Sequence, residues 1–421
     1  GERDRADETA SEAEKVEAAE DAVAESPVRP SLLERVGSDN SSDRANRRAE
    51  QGPPGKETPK LLLRHEVAHP AVPATRTHRV EAVVQQGRRH QGCGDQHRSS
   101  EKARILYCRV VFMGTPSAVV PVLEGLVAVE DIQVVGVFTP PDRPRGRGRT
   151  PEMPPVKARA LDLGLRVYQP DSLRSPQVQS ELAELRPDVI VVAAYGKFLP
   201  PTILETPPHG CLNIHPSLLP RHRGPSPVVT AIERGDTETG VTLMLLDQGM
   251  DTGDIIAQRG YPMSSQETSE ELTGVLFALG GELLLESLVA WVNGQLEARP
   301  QDQALATVTR KLERSDGLAD WDVAAAALER RARAYAPWPG LFTQWEGGVM
   351  KLLQVAVSPL PGGGVEAPPG RVVSLPEADI PVGVVTAEGV LALKTIQVEG
   401  RRAQSAAEFL RGRPQFIGSQ L

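Results

Sequence analysis

The sequence lacks long apolar runs and contains few cysteines. Its longest uninterrupted apolar run, 189–195, is far shorter than the roughly 20 residues of a membrane-spanning helix, and the N-terminus has no apolar signal-peptide core. The three cysteines, Cys93, Cys108 and Cys211, have no short paired spacing, which argues against a disulfide framework or a structural zinc site. These absences predict a soluble protein of a reducing intracellular compartment.

The sequence also lacks an excess of basic residues. It contains 47 Lys and Arg against 55 Asp and Glu among 421 residues, which gives a net charge of -8 at pH 7. A field of this sign repels polyanions, so a nucleic-acid partner would have to meet a local basic patch. The length allows two or three domains of ordinary globular composition.

Core-forming residues are missing from the first quarter of the chain. Residues 1–104 contain no aromatic residue, methionine or isoleucine, so they cannot offset an ordering entropy of about 1–2 kcal/mol per residue. We expect this segment to be disordered, or to reflect a misplaced translation start, and its acidic beginning argues against a transit peptide. The HExxH pattern at His65, Glu66 and His69 is interpreted as a chance match, because Pro70 disfavours helical geometry there.

From residue 105 onward, short β-branched runs alternate with helix-length segments. Strands are predicted over 109–112, 134–138 and 189–193, with helices such as 121–129 and 175–185 between them. This alternation predicts an α/β domain with a parallel sheet over 105–293. After a helix at 268–292, a polar linker is predicted at 294–310. Short Val-rich strands with Gly and Pro then predict a small β-barrel domain over 311–421.

The turn after the first predicted strand, 113–116, lacks the glycines of a dinucleotide-binding loop. We expect an ordinary strand-to-helix turn, with Thr115 as the helix cap and Pro116 in the first helical turn.

An arginine run follows the second predicted strand. Arg143, Arg145, Arg147 and Arg149 alternate with Pro and Gly, which on a loop presents each guanidinium to solvent. In an acidic protein this is the expected form of a local phosphate-contact site. A merely solvated loop remains the alternative.

The strongest chemical signal is the pair Asn213 and His215. They lie two residues apart in a predicted strand, so both side chains emerge on one face, where a carboxamide donor beside an imidazole suits oxyanion stabilisation and proton transfer. A Gly-bearing loop downstream offers Asp251 as a carboxylate partner. The acids of that loop do not follow calcium-loop spacing, and no serine or cysteine nucleophile accompanies the set. Proton-transfer chemistry without a covalent intermediate is therefore predicted.

The block 213–220 with the Asp-Thr-Gly-Asp loop at 251–254 resembles the signature of 10-formyltetrahydrofolate-dependent formyltransferases. The segments 194–196, 223–227 and 239–242 are similar in sequence to the same family. The segments 334–339 and 400–405 are similar to the C-terminal domain of methionyl-tRNA formyltransferases. The resemblance covers about 109–421. It implies a Rossmann-like catalytic domain followed by an OB-like tRNA-binding domain, and formyl transfer from 10-formyltetrahydrofolate to methionyl initiator tRNA for translation initiation.

By the same resemblance, Asn213, His215 and Asp251 are the expected catalytic residues, and Arg147 is the expected tRNA contact, with Arg143 and Arg149 beside it. The resemblance further implies a folate site lined by Tyr195, Gly196, Ser217, Leu218, Leu219, Pro220 and Asp247. The implied partners are charged initiator tRNA and folate. No metal and no membrane partner is implied, and a cytoplasmic monomer is expected.

The net charge of the C-terminal segment does not indicate nucleic-acid binding, because 311–421 carries 12 basic and 12 acidic residues. Its local arginine runs, 330–333, 401–402 and 411–413, are candidate tRNA contacts or solvated faces.

Two functional alternatives stay open. One is a formyl-folate hydrolase or another formyl-folate transferase, and the other is a non-catalytic RNA-binding protein on the same scaffold.

Overall fold

The computed structural model describes residues 107–145, 150–359, 367–376 and 380–421. The segment predicted to be disordered, 1–104, lies outside these residues, as do the HExxH pattern, Arg147 and Arg149.

The first domain is built on one seven-stranded sheet with the order β5-β2-β1-β6-β7-β8-β9. Neighbours from β5 to β7 pair in parallel, while β8 and β9 are added antiparallel at one edge. This is the predicted Rossmann-like α/β architecture. Together with a separate β3–β4 hairpin, the strands are β1 (Cys108–Gly114), β2 (Ile132–Phe138), β3 (Arg143–Arg145), β4 (Thr150–Glu152), β5 (Val167–Tyr168), β6 (Val189–Ala193), β7 (Cys211–His215), β8 (Glu238–Leu245) and β9 (Ile255–Pro262).

Helices follow the strands and start at recognisable signals. Five of them have proline in the first turn, where the missing amide costs no hydrogen bond, and the long sixth helix begins with a capping box of Thr268 and Glu271. They are α1 (Val120–Ala128), preceded by a 3-10 turn (Ser117–Val119), α2 (Pro155–Asp162), α3 (Pro176–Glu184), α4 (Pro201–Leu204), α5 (Pro227–Arg234) and α6 (Ser269–Val292).

Helix α6 is long and apolar enough, by length and composition alone, to cross a membrane. This helix contains no long uninterrupted apolar run, because polar residues interrupt a window whose mean hydropathy is 1.8. Half of that window is buried inside the molecule, where Gly280 packs directly on Ile214 and Val241 of the sheet. A Cβ at Gly280 would clash with both side chains, so this glycine permits the close approach of helix and sheet.

The turn after β1 differs from the prediction in one respect. Pro116, not Thr115, occupies the cap of the 3-10 turn, and no side chain caps it. The Thr115 hydroxyl instead donates to the Tyr195 carbonyl at 3.0 Å, which ties the ends of β1 and β6 together. A hydroxyl beside a neighbouring strand end has a partner that local sequence does not reveal.

The C-terminal domain is an antiparallel β domain with the strand order β10-β11-β14-β13-β12, and β15 pairs with β14. Its core includes Trp345, Phe409 and Phe416, whose rings pack edge to face with centroids 5.2–5.3 Å apart. The elements are α7 (Ala325–Ala334), β10 (Phe342–Trp345), β11 (Gly348–Ser358), β12 (Val372–Ser374), β13 (Val382–Val385), β14 (Val390–Val398), β15 (Gln404–Ser405) and α8 (Ala406–Gly412), with 3-10 turns at Gln303–Leu305, Arg314–Gly317 and Pro414–Phe416.

Helices α5 and α7 join the two domains. The Glu233 carboxylate accepts from the Tyr335 hydroxyl at 2.9 Å and from Arg331 Nε at 3.1 Å, and Arg330 Nε donates to the Glu233 carbonyl at 3.0 Å. Arg333 pairs with Glu329 on its own helix and donates through Nη1 to the Glu267 carbonyl of the first domain at 3.0 Å. The run 330–333 is therefore neither a simple solvated face nor a free tRNA contact, because all three of its guanidinium groups bond to the catalytic domain.

Candidate active site

Strand β7 brings Asn213 and His215 to one face of the sheet. Leu212 and Ile214 point to the opposite face, where they join the core beneath α6, and this alternation follows the two-residue period of a strand. Both polar side chains lie toward the carboxyl end of β7, near the ends of β1 and β6. This edge of an open α/β sheet is where ligands bind.

The two ring nitrogens of His215 have different partners. Nε2 lies 3.0 Å from the backbone carbonyl of His222, and a carbonyl only accepts, so Nε2 carries hydrogen. Nδ1 lies 3.6 Å from Asp251 Oδ2. Since Nε2 donates to this carbonyl, Nδ1 is the ring nitrogen that faces the carboxylate. The imidazole is almost fully buried, so its orientation is fixed by these neighbours.

Asp251 lies in the loop between β8 and β9, in the left-handed backbone region with φ of 55°. Its Oδ2 accepts from the Gly224 amide at 2.8 Å, and its Oδ1 lies 3.5 Å from Asn213 Nδ2. Gly224 itself has φ of 100°, and a Cβ there would meet the Thr309 backbone and hydroxyl oxygens. Glycine is therefore required where the amide approaches the carboxylate. The structure brings Asn213, His215 and Asp251 together.

The residues that follow β7 are placed differently from simple pocket-lining positions. Ser217 is fully buried and its hydroxyl donates to the Arg221 carbonyl at 2.7 Å, while buried Leu219 packs in a small cluster with Met244. The side chains of Leu218 and Pro220 remain partly exposed. Only the latter two positions present side-chain surface to a ligand.

Tyr195, Gly196 and Asp247 also offer less side chain than the sequence suggested. The Tyr195 ring is buried in the core, which raises the pKa of its phenol to about 12, and its hydroxyl has no hydrogen-bond partner among the described residues. Gly196 is exposed with φ of 80°. The Asp247 carboxylate accepts from the Thr252 hydroxyl at 2.8 Å and the Gly249 amide at 3.0 Å, so its hydrogen bonds stabilise the loop in which it lies. Any folate contact at 195–196 would involve backbone atoms.

A cavity of about 340 Å³ lies beside this site but contains none of its three central residues. His222 separates it from His215, and His222 Nε2 lies 2.7 Å from Asp236 Oδ2. Burial lowers the pKa of His222 despite the opposing effect of Asp236. The cavity is lined by Leu218, Arg221, His222, Gly235, Asp236, Thr237, Glu238 and Thr239.

The arginine run forms part of a hairpin rather than an open loop. Arg143 pairs across the β3–β4 ladder with Glu152, and its side chain is exposed. At the base, Lys157 Nζ contacts both carboxylate oxygens of Asp142 at 2.7–2.8 Å, and this hydrogen-bonded cation lowers the pKa of Asp142. Arg147 and Arg149 lie outside the described residues, so their contacts remain predictions.

The other arginines of the C-terminal domain fall into two classes. Arg401, Arg402 and Arg411 are exposed. Arg413 instead pairs with Glu346 at 3.1 Å and lies over the Trp345 ring. The exposed three remain candidates for phosphate contacts.

Metal-ligating side chains do not cluster in the part of the chain that the structure describes: no group of three His, Cys, Asp or Glu residues there is arranged to hold an ion.

Comparisons with known proteins agree with this architecture. A family model described as formyl transferase matches residues 108–288, and one described as formyl transferase, C-terminal domain, matches residues 311–414. The chain is 48% identical to a methionyl-tRNA formyltransferase of Roseiflexus castenholzii over 304 residues, 72% of this chain and 96% of that protein. It is 44% identical to the Myxococcus xanthus methionyl-tRNA formyltransferase over 312 residues, 74% of this chain and 97% of the relative. HypX from Aquifex aeolicus in complex with tetrahydrofolic acid matches with a TM-score of 0.48 and 19% identity, over 72% of this chain and 47% of HypX.

Proposed function

Since this chain belongs to the methionyl-tRNA formyltransferase family, we propose that it transfers the formyl group of 10-formyltetrahydrofolate to the α-amino group of methionyl initiator tRNA. The observation that carries the proposal is the convergence of Asn213 and His215 on Asp251, at 3.5 and 3.6 Å, at the carboxyl end of the sheet. A carboxamide donor, an imidazole and a carboxylate are the groups that formyl transfer to an amine requires.

The first step is attack by the amine on the formyl carbon. A free α-amino group titrates at about 7.7–8.0, so a substantial neutral fraction is available near neutral pH. The new N–C bond converts the formyl carbonyl to an oxyanion. Asn213 Nδ2 has one hydrogen-bond partner among the described residues, Asp251 at a long 3.5 Å, and is available to donate to that oxygen. Protonated His215 would add a second donor through Nδ1.

The second step moves a proton and breaks the old bond. The attacking nitrogen becomes cationic and must lose a proton, while N10 of the folate must gain one before it leaves. His215 Nδ1 is the only ring nitrogen free to exchange a proton, since Nε2 donates to the His222 carbonyl. Protonated Nδ1 gives its proton to N10 and then takes up the proton of the attacking nitrogen, and Asp251, which faces Nδ1, stabilises the imidazolium before and after this exchange. Collapse of the intermediate cleaves the C–N10 bond and releases tetrahydrofolate.

Recognition of the tRNA is proposed for two surfaces. The first is the arginine hairpin, which begins at exposed Arg143, and Arg147 and Arg149 follow in the sequence. In the C-terminal domain, the exposed Arg401, Arg402 and Arg411 are available to phosphates. Guanidinium groups bind phosphate with two parallel hydrogen bonds, which supports a role in orienting the acceptor end.

The protein is further proposed to act as a cytoplasmic monomer. All three central side chains come from one chain, so the site does not need a residue from a second copy.

The test is formyl transfer by the purified protein. We expect formylmethionyl-tRNA to accumulate when 10-formyltetrahydrofolate and charged initiator tRNA are both supplied, and His215→Ala to abolish it. A parallel reaction without tRNA measures formate release. Formate production at the transfer rate, independent of tRNA, would favour the hydrolase alternative, and binding of tRNA without either product would favour the non-catalytic one.

A further inference from the structure

The segment between the two domains is part of the surroundings of the catalytic set. Residues 301–309 run beside the loop 220–226, with Thr307 N donating to the Pro220 carbonyl, Arg223 N to the Thr307 carbonyl, and Thr309 N to the Arg223 carbonyl at 2.7–3.2 Å. This loop supplies the His222 carbonyl to His215 and the Gly224 amide to Asp251. The segment therefore contacts the groups that orient both side chains.

Gln301, the first residue of this segment, bonds to the loops on both sides of it. Its side chain is buried, with 6% exposed, and both its amide nitrogen and its amide oxygen make two hydrogen bonds. Nε2 donates to the carbonyl oxygens of Asp251 at 2.9 Å and Gly253 at 2.7 Å. Oε1 accepts from Nε and Nη2 of Arg223 at 2.9 and 2.7 Å. One carboxamide thus bridges the Asp251 loop and the loop that faces it.

The Asp251 loop needs such a support. With φ of 55°, Asp251 adopts a backbone conformation that non-glycine residues seldom populate and that persists only when the surroundings hold it. The Gln301 bonds act on the carbonyls of Asp251 itself and of Gly253, on either side of Thr252. They fix the direction in which the carboxylate points, toward His215 Nδ1 and the Gly224 amide.

The other end of the bridge is buried as well. The guanidinium of Arg223 is 5% exposed and donates to the carboxamide oxygens of Gln301 and, at 2.9 Å, of Gln303. Arg223 immediately precedes Gly224. The Gln301 side chain consequently holds both partners of one hydrogen bond, the Gly224 amide and the Asp251 carboxylate, at their working separation.

We propose that Gln301 is a positioning residue for formyl transfer, which acts through Asp251 and makes the interdomain segment a structural part of the active site. The inference deepens the proposed function and rests on it for its kinetic test. Because the same segment continues into the C-terminal domain, binding of tRNA there and orientation of Asp251 share one piece of backbone.

The test separates the two ends of the bridge. Gln301→Glu keeps oxygen acceptors for Arg223 but places a carboxylate oxygen where Nε2 donates to two carbonyls. We expect kcat to fall about 10- to 100-fold, the range that small misplacement of a catalytic group produces, with KM for both substrates within about threefold of wild type. Gln301→Met, uncharged and of similar size, is expected to show the same pattern.

Gln303→Ala is the matched control on the same segment. It removes one hydrogen bond to Arg223 from an exposed side chain and leaves the Gln301 bridge intact. Its kcat is expected to stay within about twofold of wild type. Equal losses in Gln303→Ala and Gln301→Glu would overturn the proposal, since they would show that only anchoring of the segment matters.

A double-mutant cycle tests whether Gln301 acts through Asp251. In an Asp251→Asn background, Gln301→Glu should cause little further loss of kcat, because the group that it positions is already disabled. Additive losses would overturn the proposal in favour of a general effect on folding.

A measurement that does not depend on turnover distinguishes a failure of the proposed function from a failure of the positioning role of Gln301. Amide hydrogen exchange across 247–254 is expected to accelerate in Gln301→Glu and Gln301→Met and to stay at the wild-type rate in Gln303→Ala. A wild-type protein that does not formylate methionyl-tRNA would refute the proposed function, whereas unchanged exchange in both Gln301 variants would refute the positioning role.

Discussion

Replacement of Asn213 by aspartate tests the proposed oxyanion contact more sharply than truncation. The change is nearly isosteric, but it removes the amide donor and places a carboxylate oxygen about where Nδ2 lies, 3.5 Å from Asp251 Oδ1. Loss of a single oxyanion donor costs on the order of 10²–10³ in kcat. At this separation and an effective dielectric constant of about 20, the two carboxylates repel each other by ~5 kcal/mol.

This repulsion predicts a characteristic pH dependence. It raises the pKa of the new carboxyl pair well above the ordinary carboxyl range, so as pH falls the pair takes up one shared proton, loses its repulsion and regains an O–H donor. The kcat of Asn213→Asp relative to wild type should therefore increase between pH 8 and pH 6. The same ratio for Asn213→Ala should stay flat, because alanine neither titrates nor donates.

Formylmethionyl-tRNA formation at saturating substrates is the assay, and each rate is divided by the wild-type rate at the same pH, which cancels titration of the amine. Two results would refute the reasoning. One is a loss smaller than about tenfold in Asn213→Ala, which would show that the amide is not an oxyanion donor. The other is parallel pH profiles for the two variants.

Three further outcomes are expected. Arg147→Ala should raise KM for charged tRNA and leave folate affinity unchanged, and an equal loss in both would contradict a phosphate contact. Glu233→Ala removes the acceptor of two interdomain hydrogen bonds, one of them from an arginine, and should lower unfolding stability by about 1–3 kcal/mol in calorimetry, whereas an unchanged Tm would contradict a docking role. Burial raises the pKa of the Cys108 and Cys211 thiols to about 12, so both should resist alkylation at pH 8 until the protein unfolds, with labelled positions identified by mass spectrometry.

Much of the catalytic domain was predictable because its strands are continuously apolar. The strand predicted at 189–193 has the same bounds as β6. The helix predicted at 268–292 is α6 together with the residue that caps it, Thr268. Strands with mixed composition were not found this way. β9 (Ile255–Pro262) at the sheet edge is buried only at its first two residues and its sequence does not alternate apolar with polar residues, and β5 is only two residues long, so neither produces a strong local signal.

The candidate site shows the same division between side chains and backbone. Asn213 and His215 were recognisable because a period of two places both on one strand face. The partner of His215 Nε2 was not, because any residue at 222 would supply a carbonyl. The Pro-Gly-rich arginine run suggested an open loop, whereas antiparallel pairing of 143–145 with 150–152 makes its base a hairpin.

The polar composition of 294–310 gives no indication that one of its side chains is buried. Polar residues between two apolar patterns usually mark an exposed connection, and six of the residues 301–310 are indeed exposed. Gln301 is buried in the same stretch because the carbonyls of the Asp251 loop need donors, and a carboxamide supplies them without adding charge. The catalytic side chains are therefore encoded by a local motif, while their geometry depends on backbone groups and on a side chain 50 residues beyond Asp251, which no local pattern connects to them.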